Sequence, residues 1–473
     1  MVRAVSDELI YANGVNGLTG EYLIEPLTPA ELATRVSVGR AVEDALTEKV
    51  QEVAFQVTEV TFDLPFWLDK NDISQVGWGI VLATDERDDV RDALQPLVDH
   101  RRAQAGDAMV KVLEHRPGED DRDWLERHQV GPGNIVPERV PYYLLLIGSP
   151  ARIPFDFQYL IDVEYAVGRL DFDDADGYDR YVQSLLTQER GDGAKRDATA
   201  AFFGTRHPRD RATQLSADML IEPLAASLEP RGLMANAVPP HRIERVVGDA
   251  ATKNALAELL AGTGACGRPA LLFSASHGMG GWPPGHPDQE PCHGALLCQD
   301  WPGTGSISDA HYLAAADLPA EADVAGMIAF LFACYGGGTP HLDSFSHRSS
   351  GPPPVIADPP FVARLPKALL EAGALAVIGH VERAWGYSFL SGQTTQLLPF
   401  QNAIGQMLSR IPVGQAMSDF HQKFATLSAG LSAIIEDVTF GQQGAETLLA
   451  SRWTERNDAQ NYVLLGDPAA RVA

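Results

Sequence analysis

Two stretches of this sequence end in the same way. Residues Leu271-Leu272-Phe273-Ser274-Ala275-Ser276-His277-Gly278 and Met327-Ile328-Ala329-Phe330-Leu331-Phe332-Ala333-Cys334-Tyr335-Gly336-Gly337-Gly338 are apolar runs of strand length that stop on small residues, and each carries one reactive side chain at the stop. Parallel strands of an open α/β sheet present their carboxyl ends to one crevice, so neighbouring strands with these endings bring the His277 imidazole and the Cys334 thiol into one cleft. That pair suits nucleophilic catalysis. A thiol is a weak nucleophile until it becomes a thiolate, and an imidazole can take its proton and later hand it to a leaving amine. Gly278 and Gly336 to Gly338 let backbone approach a substrate, with free N–H groups able to face a developing oxyanion. A lone Cys or His is more often a packing residue. Paired strand ends with adjoining glycines point to function instead.

The elements that must position this pair read as alternating strands and helices. A strand-like alternation lies at 53–62, and residues 78–84 read as a buried strand. A helix follows over 86–105 with Val90, Leu94, Leu97 and Val98 on one face. Strands near 109–113, at 142–148 and up to Leu170, then a helix over 174–189, complete a first parallel-sheet unit. The polar, glycine-bearing stretch 190–196 reads as a linker. The second unit holds strands at 198–204, 242–246, the His277 and Cys334 strands, and 374–379, with crossover helices at 211–228, 250–261 and 361–372. The organisation expected is therefore an N-terminal segment 1–76 of unassigned role, a non-catalytic α/β subdomain 77–190, a catalytic subdomain 197–393, and a helical region 394–473 closing on a strand. Between the two reactive strands runs a long Gly- and Pro-rich excursion, 279–319, with a short strand at 294–298. A second irregular loop, 336–360, follows the cysteine. Both read as walls or lids of the cleft.

Composition sets limits on function. With 473 residues, 45% of them hydrophobic, the chain can bury a large core. No stretch reaches membrane-spanning length and the N-terminus has no signal-like apolar region, so a cytoplasmic location is the expectation. Four cysteines, Cys266, Cys292, Cys298 and Cys334, do not make a disulfide framework in so long a chain. The 37 basic and 63 acidic residues give a net charge of −26, which repels nucleic acid and anionic membranes and would attract basic peptides. An acidic surface is also an ordinary solubility feature.

Further stretches carry a resemblance to a known family. A strand ending in His277-Gly278, followed by a strand ending in Ala333-Cys334, resembles the caspase-haemoglobinase fold, and the chain is most similar to the gingipain-like cysteine peptidases. Tyr142 to Gly148 running into Ile153-Pro154, Val167-Gly168-Arg169-Leu170 before a helix, and Leu464-Leu465-Gly466-Asp467-Pro468 all resemble motifs of that family. The likeness covers about Gly77 to Val472. It implies a caspase-like three-layer α/β sandwich with a mostly parallel sheet and two α/β subdomains. It also implies a cysteine endopeptidase with Cys334 as nucleophile, His277 as general acid/base and the N–H groups of Gly278 and Cys334 as the oxyanion hole.

The resemblance also suggests a specificity pocket. Asp156-Phe157-Gln158-Tyr159 resembles the stretch whose Asp pairs with a basic P1 side chain, and Trp385 resembles an aromatic wall of that pocket. Protein or peptide substrates with Arg, or less often Lys, at P1 are the expected partners. Caspases resemble this chain in having an exposed linker soon after the nucleophile that is cut to mature the cleft. Here the stretch 339–354 contains Arg348, an autocleavage candidate. No cofactor is expected. His286, Cys292, His293 and Cys298 lie close together but fit no usual zinc spacing. The acidic run Asp171 to Asp179 suggests calcium, which gingipains bind, yet its register is off by one residue and helix capping explains it better. Two other functions stay open: a cysteine acyltransferase or transpeptidase, and a catalytically silent scaffold.

Overall fold

The computed structural model describes residues 9–35, 64–131, 133–193, 195–345, 353–392, 394–439 and 445–472. Ten strands form its central sheet: β1 Trp78–Ala83, β2 Val110–His115, β3 Tyr143–Ile147, β4 Ala166–Leu170, β5 Asp197–Gly204, β6 Arg242–Val247, β7 Pro269–Ala275, β8 Ile328–Phe332, β9 Ala376–His380 and β10 Tyr462–Gly466. Their order across the sheet is β2-β1-β3-β4-β10-β9-β8-β7-β5-β6. Every neighbouring pair is parallel except β9 with β10. Strands such as β1, β3, β7 and β8 are buried along their whole length. Continuous apolar runs of this kind belong to a sheet covered by helices on both faces, which gives a three-layer α/β sandwich.

The two α/β units read from the alternation are the two halves of this one sheet. A single core runs through both, taking in Leu145, Leu186, Phe273, Phe330 and Leu464. The join is β10, the last strand in sequence, which pairs with β9 on one side and β4 on the other. Just beyond it, buried Asp467 accepts from Trp78 Nε1 at 3.0 Å and pairs with Arg101 at 2.8 Å. Arg101 lies on helix Asp88–Ala105 and pairs at 2.7 Å with Glu189, at the end of helix Ala175–Glu189. The C-terminal strand is thereby tied to the first half of the sheet.

A second, four-stranded sheet sits beside the carboxyl ends of β7 and β8, in the order Gly14–Asn16, Gly278–Gly280, Leu296–Leu297, Tyr312–Leu313. The excursion after His277 thus folds into a wall, and an N-terminal strand forms its edge. Past that strand, Leu27 and Leu32 pack against Leu431, Leu449 and Trp453 of the C-terminal helices Ser418–Thr439 and Ala445–Gln460. The strand-like stretch 53–62 lies outside the described residues.

Candidate active site

Strands β7 and β8 are paired in parallel with Ala275 opposite Phe332. His277 and Cys334 each stand two residues beyond those partners, so the register brings both to the same level at the sheet's carboxyl edge. Both are fully buried. A Cβ on Gly278 would lie 1.8 Å from the Cys334 carbonyl oxygen, so only glycine lets the two strand ends meet this closely. Tyr335, directly after the cysteine, holds a left-handed backbone at φ 60, a strain that turns the chain sharply away from β8. Burial pushes the Cys334 thiol up to about 12, against a hydrogen bond from the Ala384 N–H to Sγ at 3.2 Å. Such a thiol needs a base to become a nucleophile near neutral pH.

His277 is oriented as a base would be. Its Nε2 lies 2.6 Å from Oδ2 of Asp210, while its Nδ1 is buried without a partner. Asp210 is 3% exposed and also accepts from Thr213 Oγ1 at 2.7 Å and from the Tyr22 hydroxyl. Burial would raise its carboxyl, but the charge and hydrogen bond of His277, with those of Tyr22 and Thr213, hold it well below the usual carboxylate range. An ionised Asp210 accepts a hydrogen bond from the Nε2–H, which leaves Nδ1 as the ring nitrogen whose bonding is open. Tyr22 stands edge-on to the imidazole at 5.7 Å and Trp301 at 6.5 Å.

The N–H groups of Gly278 and Cys334 converge on a single oxygen, the carbonyl of Asn13, at 3.0 and 3.1 Å. Asn13 belongs to an extended segment that enters along residues 384–386. The Asn13 N–H donates to Ala384 O and the Gly386 N–H donates to Tyr11 O, both at 2.8 Å, with Ala12 paired antiparallel to Trp385. Trp385 is 1% exposed and forms one edge of this groove, packed on Phe345 at 5.7 Å. Asp458, on helix Ala445–Gln460, braces that edge, accepting from the Trp385 N–H at 2.8 Å and from Ser388 Oγ at 2.6 Å.

Asp156 is exposed on helix Phe155–Ile161, which follows β3, and β3 is four places from β8 in the sheet. The buried carboxylates near Trp385 and Phe345 are instead Asp343 and Glu382, both paired with Arg383. Arg348 lies outside the described residues. His293 bonds Thr339 Oγ1 at 3.0 Å, Cys298 is sealed in the core, and Asp174 caps helix Ala175–Glu189 by accepting from the Gly177 N–H. The sequence reading missed Asp210, Asp458 and residues 11–14. Asp210 carried a faint signal: it is the N-cap of helix Arg211–Ser216 and accepts from the Ala212 N–H, and a capping Asp looks the same in sequence whatever else it does.

No family model matches the chain, and no curated protein matches it. Among solved structures it is similar to one described as a protease, at 11% identity and a TM-score of 0.46, over 85% of this chain and 80% of that one. It is also similar to the complex of the pro- and mature domains of Porphyromonas gingivalis RgpB, at 11% identity and a TM-score of 0.41, over 84% of this chain and 80% of that one. Among the described residues, no helix is long and apolar enough to cross a membrane.

Proposed function

We propose that this protein is a cysteine peptidase with Cys334 as nucleophile, His277 as general acid/base and Asp210 as the residue that positions His277. The observation that carries this reading is the convergence of the Gly278 and Cys334 N–H groups on one carbonyl oxygen, beside a thiol and an imidazole with an open, buried Nδ1. A peptide lies along residues 384–386 with its scissile carbonyl between those two donors. The thiol proton passes to His277 Nδ1, and Asp210 stabilises the imidazolium that forms. Sulfur then attacks the carbonyl carbon, and the oxyanion is held by the two N–H groups, each worth about 10²- to 10³-fold in rate in comparable sites. His277 returns the proton to the departing amine, and water releases the acyl group from sulfur.

The surplus of acidic residues suits peptides with Arg or Lys at P1, and cleavage of a peptide library identifies the residue accepted there. Cys334→Ala and His277→Ala are each expected to abolish cleavage of that library without a change in thermal melting beyond a few degrees. A folded variant of either kind with near-native turnover defeats the assignment.

A further inference from the structure

Residues 10–17, Ile-Tyr-Ala-Asn-Gly-Val-Asn-Gly, carry no marked strand pattern, and Asn-Gly is ordinarily a turn signal. Here the segment is extended and threads the whole site. Upstream of the thiol it pairs antiparallel with residues 384–386 through Tyr11, Ala12 and Asn13. Downstream, Gly14–Asn16 runs parallel to Gly278–Gly280, and the Gly17 N–H donates to Gly280 O at 2.9 Å. The chain therefore passes the nucleophile in the direction of a substrate, with an acyl side ending at Asn13 and a leaving side beginning at Gly14. Gly14 is pressed so closely against the thiol that a Cβ there would lie 2.6 Å from Cys334 Sγ.

A carbonyl with a merely structural role in this strap would accept only the Gly278 N–H, which is the ladder bond of the parallel pair Gly14–Gly278. The Asn13 carbonyl instead takes donors from two different strand ends, at the point where both reactive side chains stand, which is the arrangement a scissile carbonyl requires. We propose that the Asn13–Gly14 peptide bond is a processing site, cut within the same molecule by Cys334, and that this cut opens the acyl side of the groove. The proposal rests on the peptidase reading above. In the step, the Cys334 sulfur bonds to the Asn13 carbonyl carbon as its proton goes to His277. The C–N bond to Gly14 breaks and the Gly14 nitrogen receives that proton. Water then hydrolyses the thioester, leaving a carboxylate on Asn13, an amine on Gly14 and the free thiol.

The new N-terminus stays in place. Tyr22 remains bonded to Asp210, and Leu27 and Leu32 remain packed on the C-terminal helices. Among the described residues, 9–13 hold to the rest by the 384–386 edge, the two oxyanion donors, the pairing of Ile10 with Leu27 and the ring contact of Tyr11 with Tyr22. The same geometry assigns an uncharged Asn to the P1 position, so the pocket accepts a P1 residue that is not basic.

The test is intact-mass analysis with N-terminal sequencing of freshly purified full-length protein, followed over time at several protein concentrations. The expected result is loss of residues 1–13, a new N-terminus at Gly14, a rate independent of protein concentration, and a Cys334→Ala variant that keeps its full mass. The peptide Leu-Ile-Tyr-Ala-Asn-Gly-Val-Asn-Gly, offered to the processed enzyme, is expected to be cut between Asn and Gly. A chain that stays intact while cleaving library peptides in a Cys334-dependent manner overturns this inference and leaves the peptidase reading standing. Cleavage at another bond, or a rate that rises with protein concentration, also overturns it. Protein that cuts neither itself nor the library defeats both.

Discussion

Arg169, at the carboxyl end of β4, is as deeply buried as His277 beyond β7, and the two strand ends treat their polar side chains in opposite ways. Arg169 donates from Nε to Gln158 Oε1 at 2.9 Å, from Nη1 to Gly148 O at 2.8 Å and from Nη2 to Ile153 O at 2.8 Å, with Phe155 against its face at 5.3 Å. Its hydrogen bonds close the loops of the first half of the sheet and leave nothing for a ligand. Beyond β7 and β8 the polar groups are only half satisfied. His277 Nδ1 has no partner, and the Cys334 thiol has only the weak contact with Ala384. A buried polar group with its bonds complete has no capacity left for a ligand, whereas at His277 the open nitrogen stands at a strand end beside a thiol and two converging N–H groups, and the proposed chemistry uses that combination.

The sharpest way to break this comparison is to truncate both residues. Arg169→Ala strands buried carbonyls and is expected to cost roughly 3 to 5 kcal/mol of stability in denaturant unfolding, with turnover per folded molecule changed only a few-fold. His277→Ala is expected to lose more than about 10³-fold in kcat/KM for a smaller stability cost of roughly 1 to 3 kcal/mol, because Thr213, Tyr22 and the Ala212 N–H still bond Asp210. If the two variants share one profile, the division between structural and chemical strand ends is wrong.

Asp210 sharpens it further, because it bonds like Arg169 but, on the proposed reading, serves the reacting ring. Asp210→Asn keeps the shape and removes the charge that stabilises the imidazolium. We expect roughly 10²-fold loss in kcat/KM, carried by kcat with KM little changed, since the charge acts on proton transfer and not on substrate binding. A purely structural Asp210 would lower the amount of folded enzyme and leave kcat per folded molecule where it was.

Two other buried histidines provide a stability counterpart. Burial, with the charge of His277, pushes His207 down to about 4, and burial alone pushes His293 down to about 3. Both are neutral in the folded protein, and in the unfolded chain each takes up a proton below about pH 6.5. From there down to their folded values the unfolded chain binds more protons. Stability therefore falls as pH falls, by up to about 1.4 kcal/mol per pH unit for each. Melting temperatures measured between about pH 7 and pH 5 should decline steadily, and a flat profile would contradict the burial of these rings.

Much of this arrangement was legible in the sequence because it is local. An apolar run that stops on small residues marks the carboxyl end of a buried parallel strand, and that alone located His277 and Cys334. What escaped depends on pairings distant in sequence. Gly14–Asn16 is a three-residue strand whose partner is Gly278–Gly280, and nothing in so short a stretch specifies that register. The place of β10 between β4 and β9 was hidden for a related reason. A strand buried on both faces reads alike whether it lies at an edge of the sheet or joins its two halves.

The smallest expected effect is at Asp156, which the family resemblance puts in a specificity pocket and which is exposed on its helix. A specificity carboxylate holds a guanidinium strongly when both are desolvated, and removing one partner of such a pair costs more than a hundredfold in binding. Asp156 stands on the exposed face of helix Phe155–Ile161, in the half of the sheet that carries Arg169 rather than His277. Solvent screens a charge in that position, and exposed ion pairs are worth a few-fold at most. Asp156→Ala is therefore expected to change kcat/KM for peptides with Arg or Lys at P1 by less than about fivefold, and to do so less at high salt than at low. The check is a matched pair of peptides differing only at P1, assayed at two salt concentrations. A loss of a hundredfold confined to the basic peptide would put the specificity pocket at Asp156 and would make the first half of the sheet part of the chemistry.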